Sequence, residues 1–235
     1  MFRDLLVIGA FLLSLFSFSQ DTVNQTDVHG RKQGFWRKHD KEGFRIYEGQ
    51  FKEGIPFGKF TYYYQNSKIR TISIFSIDGT VTYTTSWFPN GHMMAKGKYI
   101  NQQRDSLWQF FSEYDGALVS EEFYKMGIKE GLEKIFYPGK TEAEIITWKE
   151  GIREGPWKQF YDDGAPKLVG IYQNNEREGP IKTFFVTGKV MVTGQYKNSH
   201  QDSTWTYYDD RGNVTLREYY DEGILLKKEE FEKRD

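Results

Sequence analysis

The side chains that most often perform catalysis or bind metals are few in this chain and widely separated. The 235 residues include four histidines and no cysteine. His29, His39, His92 and His200 lack any spacing, such as His-x-x-x-His, that would bring two imidazoles to one metal ion. The chain also has no Gly-x-Ser-x-Gly motif and no Walker-type loop. The sequence therefore predicts no catalytic residues, no cofactor, no metal site and no small-molecule substrate, and the protein is not expected to be an enzyme.

Two acidic pairs could suggest calcium. Asp162-Asp163 and Asp209-Asp210 recur at the same place in the pattern described below. That place is a predicted turn, where Asp is favoured because its side chain hydrogen-bonds the local backbone. No calcium-loop motif accompanies either pair. We therefore predict turn residues rather than metal ligands.

The charge of the chain limits the classes of partner that we expect. Charged residues make up 28% of the chain, but the formal net charge is only −1. Proteins that bind a phosphate backbone normally have clustered Lys and Arg and a basic pI. Nucleic acid is therefore not an expected partner.

Aromatic residues recur with a regular period. Their spacing is 24 residues, with a single step of 25, in two columns that run in phase. The first column is Phe51, Phe75, Tyr99, Tyr124, Trp148, Tyr172, Tyr196 and Tyr220. The second column is His39, Tyr63, Trp87, Phe111, Phe136, Phe160, Phe184 and Tyr208. A period in this range is typical of a repeat array, which presents a surface rather than enclosing a pocket.

Each unit has the pattern of a β-hairpin. In the unit that begins at Gly155, two short stretches rich in aromatic and β-branched residues flank a turn at Asp163-Gly164. The extra residue of the 25-residue step falls in the turn at 112–116, where it leaves the strand register intact. The acidic residue before many unit starts is expected to bond neighbouring turns. The predicted units start near 34, 58, 82, 106, 131, 155, 179 and 203.

The tryptophans and tyrosines of the columns are the candidate surface or packing residues. With a symmetric turn, Trp36 and Trp157 would lie opposite Gly49 and Gly170 and cover them. Either the rings form the packing of a thin sheet, or one face stays partly exposed to bind protein, glycan or lipid. The candidates are Trp36, Trp108, Trp157, Trp205, Tyr161, Tyr172, Tyr196 and Tyr220.

Two segments carry a family resemblance. Residues 170–179 (Gly-Ile-Tyr-Gln-Asn-Asn-Glu-Arg-Glu-Gly) and 194–208 resemble the MORN repeat, whose core is Gly-x-Tyr-x-Asn-Gly-x-x-x-Gly-x-Trp-x-Tyr-Tyr. The bacterial variant in YwqK-family antitoxins is the most similar, over roughly 34–226. The pattern departs at Thr82, where the starting Gly and Trp are missing, and at Glu133, which replaces the Trp.

The resemblance implies an all-β protein: an elongated single antiparallel sheet of about eight stacked 24-residue hairpins. Sixteen strands would span roughly 75 Å. Residues 20–33 are expected to form a polar linker. The charged C-terminal tail, 227–235, is expected to protect the last sheet edge from pairing.

The N-terminus predicts export. An apolar run from Leu5 to Phe18 follows Arg3 and ends on Ser17-Phe18-Ser19, which is typical of a signal peptide over residues 1–19 with cleavage near Ser19. An N-terminal anchor or a buried helix is the alternative. The expected location is periplasmic, cell-surface or secreted.

Four functions are compatible with these features. We expect a non-enzymatic exported scaffold that binds a protein partner through its sheet. Association with a membrane surface is an alternative, although a net charge near zero weakens attraction to anionic lipid. The family label also implies a toxin-neutralising protein. Glycan binding is the fourth, although known repeats of that kind have a shorter period.

Overall fold

The structure of the protein is a computed structural model that describes residues 22–232. The predicted signal peptide, residues 1–19, lies outside these residues. All regular structure from residue 22 to residue 232 is β-strand, and no helix in that range is long and apolar enough to span a membrane. The strands are β1 (Gln25–Thr26), β2 (Lys32–His39), β3 (Arg45–Lys52), β4 (Ile55–Tyr63), β5 (Ile69–Phe75), β6 (Val81–Trp87), β7 (Met93–Ile100), β8 (Gln103–Phe111), β9 (Leu118–Lys125), β10 (Ile128–Phe136), β11 (Glu142–Lys149), β12 (Ile152–Phe160), β13 (Pro166–Gln173), β14 (Glu176–Arg177), β15 (Gly179–Phe184), β16 (Val190–Lys197), β17 (His200–Tyr208), β18 (Val214–Asp221) and β19 (Ile224–Glu230).

The strands form one antiparallel sheet in chain order. Each strand pairs with the next, and β14 and β15 are two parts of one strand, both of which pair with β13. From β2 to β18 the sheet contains eight consecutive hairpins, which we call units 1 to 8. Unit 1 is β2–β3, unit 3 is β6–β7, unit 5 is β10–β11 and unit 6 is β12–β13. The predicted all-β class and single sheet of hairpins are confirmed.

The sheet extends further at both ends than the sequence predicted. Residues 25–26, inside the expected linker, form β1 and pair with Gln33 and Lys32 of β2. At the other end, Lys227 and Lys228 of the expected tail lie in β19, which pairs along β18. Both end strands form because the first and last hairpins leave backbone N–H and C=O groups that an extra strand can satisfy.

Two kinds of turn alternate along the chain. Within a hairpin the turn has five residues, as in 40–44, and its fourth residue has positive φ; this residue is glycine in most units (Gly43, φ 89°) but Ser67 in unit 2 and Lys140 in unit 5. Residues 112–117 form a six-residue turn, so the extra residue lies where the sequence placed it. Between units the turn has only two residues, both at positive φ, as in Glu150-Gly151 (φ 51° and 81°), which is the type I′ geometry that suits the twist of adjacent strands. Units 2 and 3 are the exception, because residues 76–80 connect them.

The glycine that starts most units lies within a strand and not in a turn. The predicted unit begins at Gly155, but β12 has already begun at Ile152. Gly155 has a φ of 106° and lies in a bulge, where three residues of β12 oppose Thr147 alone. Positive φ is costly for most side chains, which explains the glycine.

Side chains alternate between the two faces of the sheet. We call the face with Trp36, Trp108, Trp157 and Trp205 the Trp face, and the opposite one the back face. The largest buried cluster lies on the Trp face and contains Ile146, Trp157, Ile181 and Trp205.

Candidate binding surfaces

Aromatic rings of one unit cover glycines of the preceding unit. Trp108 of β8 lies over Gly97 of β7, so close that a side-chain carbon added at Gly97 would overlap the ring. The indole Nε1–H of Trp108 donates to the carbonyl of Lys98 at 3.0 Å. The same arrangement joins Trp205 to Gly194. Each contact joins consecutive hairpins, so these rings hold the array together.

Unit 6 shows what happens when that glycine is absent. Ile146 occupies the corresponding position in β11, so Trp157 leans toward its own hairpin, where a ring carbon lies 3.2 Å from a carbon placed at Gly170. Its indole N–H then donates to Glu144 Oε1 at 2.6 Å. A single larger residue therefore redirects the tryptophan.

The prediction placed both tryptophans opposite the correct glycines, but one of the two predicted ring contacts is wrong. Trp36 is opposite Gly49 and Trp157 is opposite Gly170, as expected. Gly49, however, is covered by Phe60 of the next unit. The bulge in the next strand shifts its ring over the glycine, and sequence spacing alone does not show this.

The candidate aromatic residues occupy different environments. Trp108, Trp157 and Trp205 are buried, at 3%, 8% and 6% exposure, whereas Trp36 is half-buried beside β1. Tyr172, Tyr196 and Tyr220 are half-buried against the main cluster. Tyr161 lies beyond the end of β12, and its hydroxyl donates to the carbonyl of Phe184 at 2.6 Å. Most of these rings therefore pack within the sheet.

A column of basic residues covers these rings and was missed in the sequence. The Arg104 guanidinium lies 4.9 Å from the centre of Trp108, and Arg177 lies 4.2 Å from that of Tyr196. Such contacts stabilise by about 0.5–2 kcal/mol. From Arg104 onward the cations are spaced by 24 or 25 residues, which was the available signal, and Lys32 lies three periods before Arg104. The column is Lys32, Arg104, Lys129, Arg153 and Arg177.

Acidic residues at the unit starts bond the neighbouring turns, as predicted. Glu130, Glu154 and Glu178 each accept a hydrogen bond from a backbone N–H of the next inter-unit turn, at 2.8–2.9 Å. Each turn N–H would otherwise have only water as a partner.

Unit 5 replaces the ring with an ion pair. Glu133 stands at the tryptophan position and accepts hydrogen bonds from Lys129 at 2.5 Å and from the Trp148 indole at 2.7 Å. Burial by itself would lower the pKa of Lys129, but the contacts with Glu133 and Glu122 outweigh it, so that pKa is raised. This departure from the repeat is therefore internally satisfied.

Unit 3 replaces the ring with a small hydroxyl residue. Thr84 stands at the tryptophan position, and Ser73 stands where other units have the covered glycine. Their hydroxyls bond each other at 3.0 Å, and Thr71 bonds Ser86 at 3.1 Å. The missing ring leaves a recess of about 440 Å³ on the Trp face. Its sides include Phe75 and Tyr99.

The back face carries exposed apolar side chains in the middle of the sheet. Ile74 pairs with Tyr83, and Leu107 pairs with Phe123. Ile74, Tyr83 and Leu107 also line one shallow groove. We call these four residues together with Leu132 of β10 the back-face strip. The exposed fractions are 54% for Ile74, 60% for Tyr83, 37% for Leu107, 45% for Phe123 and 43% for Leu132.

Lysines flank the back-face strip. Lys59 lies opposite Ile74 and Lys98 opposite Tyr83, and Lys96 lines the same groove. Lys98 is paired with Asp105 at 3.0 Å. Within the described part of the chain, Lys59 and Lys96 make no ion pair. Positive charge that no carboxylate within residues 22–232 pairs therefore lies beside the Ile74–Tyr83 end of the strip.

Two of the histidines, His92 and His200, contact turns through their side chains. His92 Nδ1 lies 2.8 Å from the carbonyl of Glu113, and His200 packs on the turn glycine Gly223. From 22 to 232, no group of three or more His, Asp or Glu side chains is arranged to hold a metal ion.

Comparison with known proteins identifies one segment. The family model described as MORN repeat variant matches residues 153–174. This segment covers almost all of unit 6, including both strands and the turn between them. No curated protein matches the chain. The matched hairpin, repeated in form across the sheet, supports a MORN-repeat protein.

Proposed function

We propose that the protein is a non-enzymatic repeat scaffold that binds a protein partner through the back-face strip. The observation that carries this proposal is the row of five apolar side chains that remain 37–60% exposed in units 2 to 5. Contiguous exposed apolar surface of this kind is typical of interaction sites. The MORN-like hairpin array supports the scaffold role.

The Trp face is less suited to this binding. Two of its tryptophans, Trp108 and Trp205, join consecutive hairpins, and its basic column is already stacked on rings. A partner on that face would have to displace contacts that stabilise the array. Between residues 22 and 232, the side chains of the back-face strip make no comparable stacking contact.

The lysines beside the strip indicate the chemistry of the partner. Lys59 and Lys96 surround apolar side chains with unpaired positive charge. Opposite charges across an interface accelerate association and exclude partners of like charge. The expected partner presents an apolar ridge bordered by Asp or Glu.

A matched pair of variants tests this site. Phe123 and Ile171 occupy the same repeat position and are 45% and 42% exposed, but only Phe123 belongs to the strip. A captured partner is expected to bind Phe123→Lys at least about tenfold more weakly than the wild type, because a charge replaces a buried anchor. Ile171→Lys is expected to bind normally. Equal binding by both variants would overturn the proposal.

Association with a membrane is the second candidate, because apolar groups bordered by lysines also suit an anionic bilayer. Sedimentation with phosphatidylglycerol vesicles is the deciding measurement. Vesicle binding that Phe123→Lys abolishes, with no protein partner captured, would favour the membrane. A captured toxin would instead indicate neutralisation.

Export is part of the proposal and rests on the apolar run of the N-terminal segment. We expect the protein outside the cytoplasm, with its N-terminus near Gln20. Fractionation and N-terminal sequencing check this location. Recovery of the full-length chain from the cytoplasm would contradict it.

A further inference from the structure

We infer that the recess in unit 3 binds a saccharide ring. The recess lies on the Trp face and the back-face strip on the opposite one, so this inference is independent of the proposed protein-binding function. It concerns the one unit in which both members of the ring-and-glycine pair are replaced by hydroxyl residues, Ser73 and Thr84.

The shape of the recess fits one ring. Phe75 lies opposite Thr82 on one side and Tyr99 lies opposite it on the other, so the two rings are two strands, or about 10 Å, apart. In unit 2 the equivalent space is filled by Phe60, whose ring centre lies 5.1 Å from both Phe51 and Phe75. Without a ring of its own, unit 3 has room for a ring from outside.

The floor of the recess is polar. It is made by the hydroxyls of Thr71, Ser73, Thr82, Thr84 and Ser86. Each hydroxyl donates one hydrogen bond and accepts two, so the two hydroxyl pairs use only part of this capacity. A purely apolar ring would cut these groups off from water without replacing its hydrogen bonds, which is costly. The ligand must therefore carry hydroxyl groups.

Further donors lie at the rim. Arg70 and Gln102 border the recess and are exposed. Both side chains donate hydrogen bonds, and they suit the oxygen atoms of a neutral or acidic ligand. The volume of about 440 Å³ lies within the usual range of small-molecule sites, about 300–1,000 Å³.

A pyranose meets these requirements together. Its C–H faces can pack between the rings of Phe75 and Tyr99, while its hydroxyls reach the floor and rim. Hydrolysis of a glycosidic bond uses two carboxyl groups beside that bond. None of the residues described here as lining the recess is Asp or Glu. The recess therefore binds a sugar and carries no pair of groups to cleave one.

The experiment restores the ring that the repeat omits. The double variant S73G/T84W recreates the pair seen at Gly97 and Trp108 and closes the recess. The control, Thr85→Val, removes a hydroxyl from the same strand on the opposite face. Binding is followed by NMR shifts of the threonine methyl groups during titration with millimolar glucose, galactose, mannose, N-acetylglucosamine and their β-linked disaccharides.

We expect the wild type and Thr85→Val to bind at least one of these sugars and S73G/T84W to bind none. Thr84→Ala, which removes one floor hydroxyl, is expected to bind about three- to tenfold more weakly. Thermal unfolding of each variant shows that it is folded. If no sugar shifts the wild-type signals, or if folded S73G/T84W binds as well as the wild type, the inference is wrong.

Discussion

At the scale of single residues, the sheet is held by a contact between a ring and a glycine from consecutive hairpins. Phe60, Trp108 and Trp205 each lie on a glycine that has ordinary φ, so these glycines are required for space and not for backbone conformation. Gly170 differs, because Trp157 approaches it from its own hairpin and leaves more room.

Replacing these glycines with alanine is expected to lower the free energy of unfolding by unequal amounts. Gly194→Ala places a methyl group within the ring of Trp205 and should lower the free energy of unfolding by about 2–3 kcal/mol through overpacking. Gly170→Ala should cost less than about 1 kcal/mol, because the nearest ring carbon is 3.2 Å away. Urea unfolding of both variants measures the difference. Equal losses would contradict the ring-on-glycine explanation.

At the scale of elements, the hairpins repeat but their connections do not. Six inter-unit turns have two residues at positive φ, as does the turn from unit 8 to β19, whereas units 2 and 3 are joined by residues 76–80. In that connection Asp78 accepts hydrogen bonds from the Ser76 hydroxyl at 2.5 Å and from Thr80. Hydrogen bonds to the Asp78 carboxylate therefore stabilise this turn, whereas the other inter-unit turns rely on two residues at positive φ.

The charge of Asp78 should make this turn sensitive to acid. The Ser76 hydroxyl, followed by the backbone and hydroxyl of Thr80, lowers the pKa of Asp78 from 3.8 to about 2. The folded pKa lies below the unfolded value, so the stabilisation is complete above about pH 4 and is lost as the pH falls toward 2.

NMR titration of the Asp78 carboxyl carbon measures this pKa. Ser76→Ala should raise the midpoint toward 3.8 by removing the strongest donor. Ser86→Ala, whose hydroxyl bonds Thr71 instead, should leave it unchanged. An unshifted midpoint in Ser76→Ala would show that the hydroxyl is not the cause.

At the scale of the whole molecule, stability should vary along the array. A repeat array is stabilised by each unit and by its contacts with the next. Between units 2 and 3, the two-residue turn, the bulge and the ring-on-glycine contact are all missing. We therefore regard the β5–β6 junction as the weakest in the sheet.

Limited proteolysis should reveal this junction. The first cut is expected within residues 76–80, where Ile77 is 71% exposed, rather than at the tight turn Glu150-Gly151. Hydrogen exchange should be fastest in β5 and β6 among the central strands. Uniform protection across the central units would show that this junction is as stable as the others.

The sequence by itself determined the periodic features of this protein. Aromatic and glycine positions repeat every 24 residues, and a side-chain period of two along each strand fixes hairpins, turns and register, as at Trp157 and Gly170. These are local properties of the chain, so one sequence is enough to predict them.

Only the tertiary structure decided which residues meet between units. The bulge at the start of unit 2 moves the ring of Phe60 from its own hairpin onto the previous one, which is how Phe60 comes to cover Gly49. The tertiary structure also decided the outcome where the repeat lacks its tryptophan. Thr84 leaves an open recess in unit 3, whereas Glu133 of unit 5 forms an ion pair with Lys129. Such outcomes depend on how side chains of neighbouring strands and hairpins pack, rather than on local pattern.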